Sequence, residues 1–327
     1  MGNWLNSKLY ILPITVVTSI GLMSNKLPWG FYGHKKINRQ AVFSLPPEIF
    51  PFYKEHLNYI TEHAVDPDKR RYIVPTEGPC HFIDLDHYEN PFDSIPHSWN
   101  KAITKFTEDS LRKHGIVPWH IYLTKLNLQK AFEEKNVEKI LKYSADLGHY
   151  IGDAHVPLHT THNYNGQFTN QKGIHGLWES RLVELYSEDY NYFVGKASYI
   201  SNMQNEIWKV LKESHLALDS VFKFEAQITA QNEFPKYSFE QRGATTVRVY
   251  SREFSLEYHR RLNKMVERRL TSSIRMTASV WFTAWVDAGQ PNLSSILNHK
   301  PSKEFIKEME ALEKKHTQHQ HSGRDCD

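Results

Sequence analysis

The sequence is poor in cysteine, carries almost no net charge and has only one long uncharged apolar run. Two cysteines, Cys80 and Cys326, exclude a fold stapled by many disulfides. The 40 Lys and Arg residues nearly cancel the 37 Asp and Glu residues, leaving a formal charge of +3. This balance argues against binding of nucleic acid mainly through a large basic face, although it allows a local basic groove. Beyond residue 23, no segment is long and apolar enough to span a bilayer.

The single apolar run lies near the N-terminus. Residues 9–23 read LYILPITVVTSIGLM, contain no charge and follow Lys8. This pattern is typical of the apolar region of a signal peptide. We therefore expect residues 1–28 to be a signal peptide or N-terminal anchor. The protein is predicted to be exported, to a periplasm or beyond, and to be membrane-anchored if the segment is not cleaved.

The rest of the chain has the apolar spacing of helices, without internal repeats or a run of alternating strands. Pro, Asp and Tyr are frequent in residues 66–98, which indicates an irregular loop. We predict one all-α domain at 29–290 and a charged, mobile tail at 291–327. The helical patterns occupy residues 35–45, 119–133, 136–155, 203–229 and 243–288.

Histidine is abundant, with 19 residues, most of them between His34 and His175. In the segment GHYIGDAHVPLH (148–159), His149 and Asp153 are four residues apart, so both project from one face of a helix. His159 follows at the end of that helix. The segment HGLWE (175–179) repeats the spacing with His175 and Glu179. Imidazole and carboxylate ligands without cysteine suit an open catalytic zinc site.

Three further segments upstream carry potential metal ligands. PCHFIDLDHY (79–88) offers His81, DPD (66–68) offers Asp66 and Asp68, and WGFYGH (29–34) offers His34. Each alone is commonplace in a loop, but their order along the chain is distinctive. The series resembles the zinc-dependent phospholipase C / S1-P1 nuclease superfamily over residues 29–180 by motif, and to about residue 290 by helix layout.

The resemblance implies an all-α fold and three zinc ions, with Asp153 bridging two of them. Asp66 is preferred over Asp68 because its fifteen-residue step to His81 fits the family better, and Asp68 stays the alternative. The implied ligands are Asp66, His81, His149 and Asp153 for one ion; His159, His175 and Glu179 for a second; and the backbone of Trp29 with His34 for the third. In the family, the Trp amine is free, which here requires cleavage directly after Pro28. Either another protease trims the chain, or the third zinc binds without this amine.

The implied reaction is phosphodiester hydrolysis by a zinc-held hydroxide, with Asp66 and Asp153 as catalytic residues. Asp66 is a candidate to orient or deprotonate the attacking water. Arg70 is a candidate to bind a phosphate oxygen, and Phe82 a candidate pocket wall for a base or a choline headgroup.

The substrate is either a phospholipid or a single-stranded nucleic acid. Glu179 and the short step from His159 to His175 favour phospholipase C, which the sequence places first, with transient contact to a membrane surface. Trp178 and the HFID segment favour the alternative, an S1/P1-type nuclease acting on single-stranded DNA or RNA. A third possibility is an inactive zinc-binding protein, but the complete ligand set favours an enzyme. The sequence gives no reason to infer an obligate protein partner.

Overall fold

The computed structural model describes residues 30–71, 73–243, 245–299 and 301–318. The predicted signal peptide or anchor at 1–28 and Trp29 therefore lie outside the described residues. The elements are α1 Gly30–Val42, α2 Phe50–Glu55, α3 Leu57–Glu62, α4 Asp66–Arg71, α5 Pro91–Ser94, α6 Trp99–Phe106, α7 Glu108–His114, α8 Val117–Glu133, α9 Val137–His155, α10 Leu182–Tyr186, α11 Met203–Leu216, α12 Leu218–Gln231, β1 Tyr237–Arg242, β2 Thr245–Tyr250, α13 Arg252–Arg261, α14 Met265–Asp287 and α15 Lys303–Gln318.

Helix α9 lies at the centre of the fold and packs against α1, α3, α8, α11 and α14. It begins where the Asn136 side chain accepts a hydrogen bond from the Lys139 amide at 3.1 Å, and it ends before Pro157. In the core, Trp281 of α14 is fully buried and donates from its indole N–H to the Ser144 carbonyl of α9 at 3.0 Å. The predictions of an all-α fold and of helices at 119–133 and 136–155 are confirmed.

A β-hairpin departs from the predicted helical pattern. Strands β1 and β2 pair antiparallel, with Tyr237 opposite Tyr250 and Arg242 opposite Thr245. The helical pattern predicted for residues 243–288 was wrong at β2, and the helix after the hairpin begins at α13. The segment TTVRVY of β2 is rich in β-branched residues, which stiffen the backbone and favour a strand.

Two further regions, residues 66–98 and the predicted tail, contain helices. Residues 66–98 hold α4, α5 and two 3-10 helices, Gly78–His81 and Leu85–His87. In the tail predicted to be charged and mobile, α15 packs against α4. Among the described residues, no helix combines the length and apolarity needed to cross a membrane.

Candidate metal centre

Three groups of imidazole and carboxylate side chains converge at one end of α9. Within each group, one ligand atom from every residue lies within 4.8 Å of the others. Cluster A is Asp68, His81 and His149; cluster B is His34, His149 and Asp153; and cluster C is His159, His175 and Glu179. Because His149 belongs to both A and B, these two clusters are continuous.

Cluster A joins α4, the 3-10 helix Gly78–His81 and α9. The Nε2 atom of His149 lies 3.1 Å from Nδ1 of His81 and 3.7 Å from Oδ1 of Asp68. The Asp68 oxygen is also 3.9 Å from Nδ1 of His81. Three donor atoms from three separate segments thus face a common point.

The Asp153 carboxylate faces both clusters A and B. Its Oδ2 lies 2.9 Å from Nδ1 of His81 and 3.3 Å from Nε2 of His149, while its Oδ1 lies 3.4 Å from Nε2 of His34. The i, i+4 spacing of His149 and Asp153 produces this arrangement on one face of α9, as the sequence predicted. A carboxylate with one oxygen on each side can bridge two cations.

Cluster C is formed by two segments that follow α9 in the chain. His159 belongs to the 3-10 helix Pro157–Thr160, and Glu179 belongs to a π-helix at Gly176–Arg181. The Oε2 atom of Glu179 lies 2.6 Å from Nε2 of His175 and 3.3 Å from Nε2 of His159. Its Oε1 lies 3.6 Å from Nε2 of His34, which links clusters C and B. Short π-helical segments of this kind are frequent at functional sites.

Backbone carbonyls orient two of the imidazole rings. Nδ1–H of His149 donates to the Ala64 carbonyl at 2.9 Å, and Nδ1–H of His159 donates to the His81 carbonyl at 2.6 Å. In the neutral ring, each bond places the proton on Nδ1 and leaves Nε2 available to bind a cation, and second-layer bonds of this kind fix metal ligands.

The buried charges of the site favour positive charge between the carboxylates. Burial opposes ionisation of His149, but the charges of Asp153 and Asp68 outweigh it and raise the His149 pKa to about 9. Burial likewise opposes the shift at His159, yet Asp153 and Glu179 raise its pKa to about 9. Burial also disfavours the ionised form of Asp153, but nearby imidazoles hold its pKa well below the usual range. Protons and divalent cations compete for such ligands.

The donor set fits zinc. Every cluster combines imidazole nitrogen with carboxylate oxygen, and the buried Cys80 belongs to none of them. Zinc accepts this mixture at four-coordinate sites, whereas calcium and magnesium prefer oxygen alone.

The structure places Asp68, the alternative, in cluster A instead of Asp66. The Asp66 carboxylate is engaged by Nδ1 of His63 at 2.6 Å and Nζ of Lys69 at 3.3 Å. Residues two apart on a helix project in nearly opposite directions, so only one of the two aspartates can face the cluster. Asp66 therefore lies on the side of α4 that faces away from cluster A (called the outer side below), although its side chain is buried.

The two predicted substrate contacts differ in position. The Arg70 guanidinium is paired with Glu77 at 3.3 Å and Asp146 at 2.9 Å, and it donates to the Tyr150 hydroxyl at 3.2 Å. The Arg70 guanidinium is therefore already engaged by protein carboxylates, and not by a residue of clusters A, B or C. Phe82 directly follows His81 of cluster A and is half-buried.

Two glycines that the sequence analysis did not single out let α1 approach α9. A Cβ atom on Gly148 would lie 1.6 Å from Oδ1 of Asn38, and one on Gly152 would lie 2.9 Å from Nδ1 of His34. The Asn38 amide is anchored by donation to the carbonyls of Ile60 at 3.1 Å and Ala145 at 3.0 Å. The four-residue spacing of the glycines on α9 was the available signal for this close contact.

Gly148→Ala is expected to lower the free energy of unfolding by about 1–3 kcal/mol, because its methyl group overlaps an anchored amide. Chemical denaturation of the metal-free protein measures this change. Gly78→Ala is the matched control, since a Cβ at Gly78 meets nothing within 4 Å. Equal stability of the two variants would contradict the close packing of α1 on α9.

Comparison with known proteins agrees with this geometry. A search of curated proteins finds no match to the chain. The family model described as S1/P1 Nuclease matches residues 29–280. The match covers the three clusters and most of the helical bundle, and it confirms the resemblance found from the ligand motifs. The chain therefore belongs to the S1/P1 nuclease family.

Proposed function

We propose that this protein hydrolyses phosphodiester bonds of single-stranded nucleic acid with three zinc ions. The observation that carries the proposal is the linked set of clusters A, B and C. The shared His149 and the two-sided Asp153 join A to B, and the contact of His34 with Glu179 joins B to C. The matched family is named for nucleases, which favours the nucleic-acid alternative over the phospholipid substrate that the sequence analysis placed first.

The proposed zinc ligands follow the clusters, with Asp68 replacing Asp66. They are Asp68, His81, His149 and Asp153 for the first ion; His34 and Asp153, with the backbone of Trp29, for the second; and His159, His175 and Glu179 for the third. Zinc bound there would lower the pKa of water and neutralise charge developing on the phosphate.

The protein's own contribution is to hold ionised carboxylates at fixed positions. Burial opposes ionisation of Asp68, but His149 and Arg71 outweigh it and lower its pKa. The Asp68 carboxylate is therefore suited to accept a hydrogen bond from the attacking water and to orient it towards phosphorus. In this role it takes the place that the sequence analysis gave to Asp66.

A basic and aromatic pocket beside cluster C supports nucleic acid as the substrate. The pocket encloses about 430 Å³ between the hairpin and the segment around Gly173 and Gly176, which flank His175. Lys172 and Arg248 line it, and the Arg248 guanidinium lies 3.7 Å from the centre of the Tyr237 ring. Basic groups that hold phosphates and rings that stack on bases are the combination used for single strands.

A second aromatic surface follows His159 directly. The rings of His162 and Phe168 stack at 5.2 Å, and both side chains are at least 60% exposed. The loop is held in shape because Asp86 accepts a hydrogen bond from the His162 amide at 3.0 Å. An exposed, preformed stack of this kind can receive an unpaired base.

Arg248→Ala is expected to raise KM for a single-stranded oligonucleotide about 10-fold, which corresponds to about 1.4 kcal/mol of lost binding. The value of kcat should change little, because Arg248 belongs to no metal cluster. Steady-state kinetics on oligothymidylate measure both constants. Arg260→Ala is the control, since Arg260 is exposed and its side chain pairs with Glu257 on its own helix. Equal KM values for the two variants would contradict a role of this pocket in binding single-stranded nucleic acid.

A substrate panel tests the proposal. The purified protein is assayed on single-stranded DNA, RNA, duplex DNA and phosphatidylcholine vesicles, each with and without a zinc chelator. We expect chelator-sensitive cleavage that is fastest on single strands. Cleavage of phosphatidylcholine alone would favour the phospholipase C interpretation, and zinc binding without hydrolysis of any diester would favour a binding protein.

We also propose export of the chain, on the strength of the apolar run at 9–23. The ligand role of the Trp29 amine depends on where the leader is cut. N-terminal sequencing of protein recovered from the secreting host tests both points, and a mature chain beginning at Trp29 is the expected result.

A further inference from the structure

Helix α15 contacts the outer side of the segment that carries Asp68. It lies beyond residues 29–280, the part of the chain that matches the family model. Helix α4 is only six residues long and carries Asp66 and Asp68 in its first turn. A helix this short has little stability by itself. Its position therefore depends on the elements packed against it.

An aromatic path connects α15 to α4. Phe305 is only 7% exposed, and its ring stacks on Tyr59 of α3 with 5.9 Å between centroids. The Tyr59 ring in turn stacks on His63 at 3.9 Å. His63 then holds the Asp66 carboxylate at 2.6 Å. Phe305 is thus linked to the first residue of α4 through two stacked rings and one hydrogen bond.

A charged path reaches the same helix. Nζ of Lys69 lies 2.8 Å from Oε2 of Glu313 on α15 and 3.3 Å from Oδ1 of Asp66. Both paths end on residues that flank Asp68 in the chain, while the Asp68 side chain faces inward to His81 and His149. The outer side of α4 is therefore tied to α15 and its inner side to the cluster.

We propose that α15 is a positioning element that fixes α4, and with it the Asp68 carboxylate, against cluster A. The proposal rests on Asp68 being a zinc ligand, as proposed above. It assigns Phe305 and Glu313 a role in metal retention, although neither residue touches the clusters. No member of clusters B and C lies on α4; they lie on α1, α9 and the segments at 157–160 and 175–179.

The test compares full-length Phe305→Ala with Ile306→Ala, a neighbouring α15 residue whose side chain is 45% exposed. Zinc release into a chelating dye is followed with time in each variant. We expect Phe305→Ala to accelerate release of one zinc ion about 10-fold, the low end of the effect of second-layer changes, and to leave the other ions unchanged. Ile306→Ala should match the wild-type protein. Glu313→Gln should reproduce the Phe305→Ala effect more weakly.

Hydrogen exchange of the zinc-loaded protein provides a second readout. The amides of α4 should exchange faster in Phe305→Ala than in Ile306→Ala, with no change in the part of α9 that carries His149 and Asp153. Uniform acceleration of all zinc ions and of both helices would indicate general destabilisation and overturn the proposal, as would unchanged release and exchange.

The assignment of Asp68 itself is checked separately with Asp68→Asn. If that variant binds as much zinc as the wild-type protein, the ligand assignment fails, whatever the behaviour of α15. If Asp68→Asn lacks one ion and Phe305→Ala still releases all ions at wild-type rates, only the role of α15 fails.

Discussion

Asp153→Asn is expected to lower kcat on single-stranded DNA by more than 100-fold. Asp153 is 1% exposed, and its two oxygens face imidazoles of clusters A and B. An amide of the same shape removes the negative charge and presents a nitrogen to one of the clusters. Loss of second-layer partners alone costs about 10- to 100-fold in metal affinity or activity, so loss of a group that contacts two clusters should cost more.

Zinc content and steady-state kinetics measured on the same preparation check this expectation. Asp109→Asn is the control, because Asp109 is an exposed carboxylate in the first turn of α7. Far-ultraviolet circular dichroism should show unchanged helix content in both variants. Wild-type turnover by Asp153→Asn would refute the assignment of the bridging carboxylate.

Asp68→Asn and Asp66→Asn are expected to differ sharply although they change the same residue type two positions apart. Asp68→Asn should lose one zinc ion and at least about 100-fold in kcat, because its oxygen lies 3.7 Å from Nε2 of His149. Asp66→Asn should keep the full zinc content. It weakens the contacts with His63 and Lys69, which should cost about 1–2 kcal/mol of stability.

The pair is compared by zinc content, kcat and chemical denaturation. Because both residues belong to α4, a general effect on that helix would appear in both variants. Loss of zinc from Asp66→Asn with retention in Asp68→Asn would reverse the assignment and restore the ligand predicted from the sequence.

The fold was largely predictable because the long helices carry regular apolar spacing and clear end signals. Helices α8 and α9 were located in this way, and in the structure Asn136 caps α9. The β-hairpin was missed because a short strand adjoins a helical pattern in the sequence, and β-branched alternation over six residues is a weak signal beside it.

The site was predictable where both ligands lie on one element. The i, i+4 pairs His149–Asp153 and His175–Glu179 needed only the geometry of a helical turn. The choice between Asp66 and Asp68 needed the orientation of α4, which is visible only in contacts between separate segments, such as Lys69 with Glu313 of α15 and Ala64 with His149. The pocket beside cluster C could not be predicted from the sequence. Two of its lining residues, Lys172 and Arg248, are far apart in the chain and come together only in the fold.

Crystals of the mature chain prepared with zinc, measured on both sides of the zinc absorption edge, test the central claim most directly. The account predicts three anomalous peaks, one at each of clusters A, B and C, with the peak at cluster A beside Asp68. Absence of zinc from these clusters, or zinc bound only elsewhere on the protein, would contradict it.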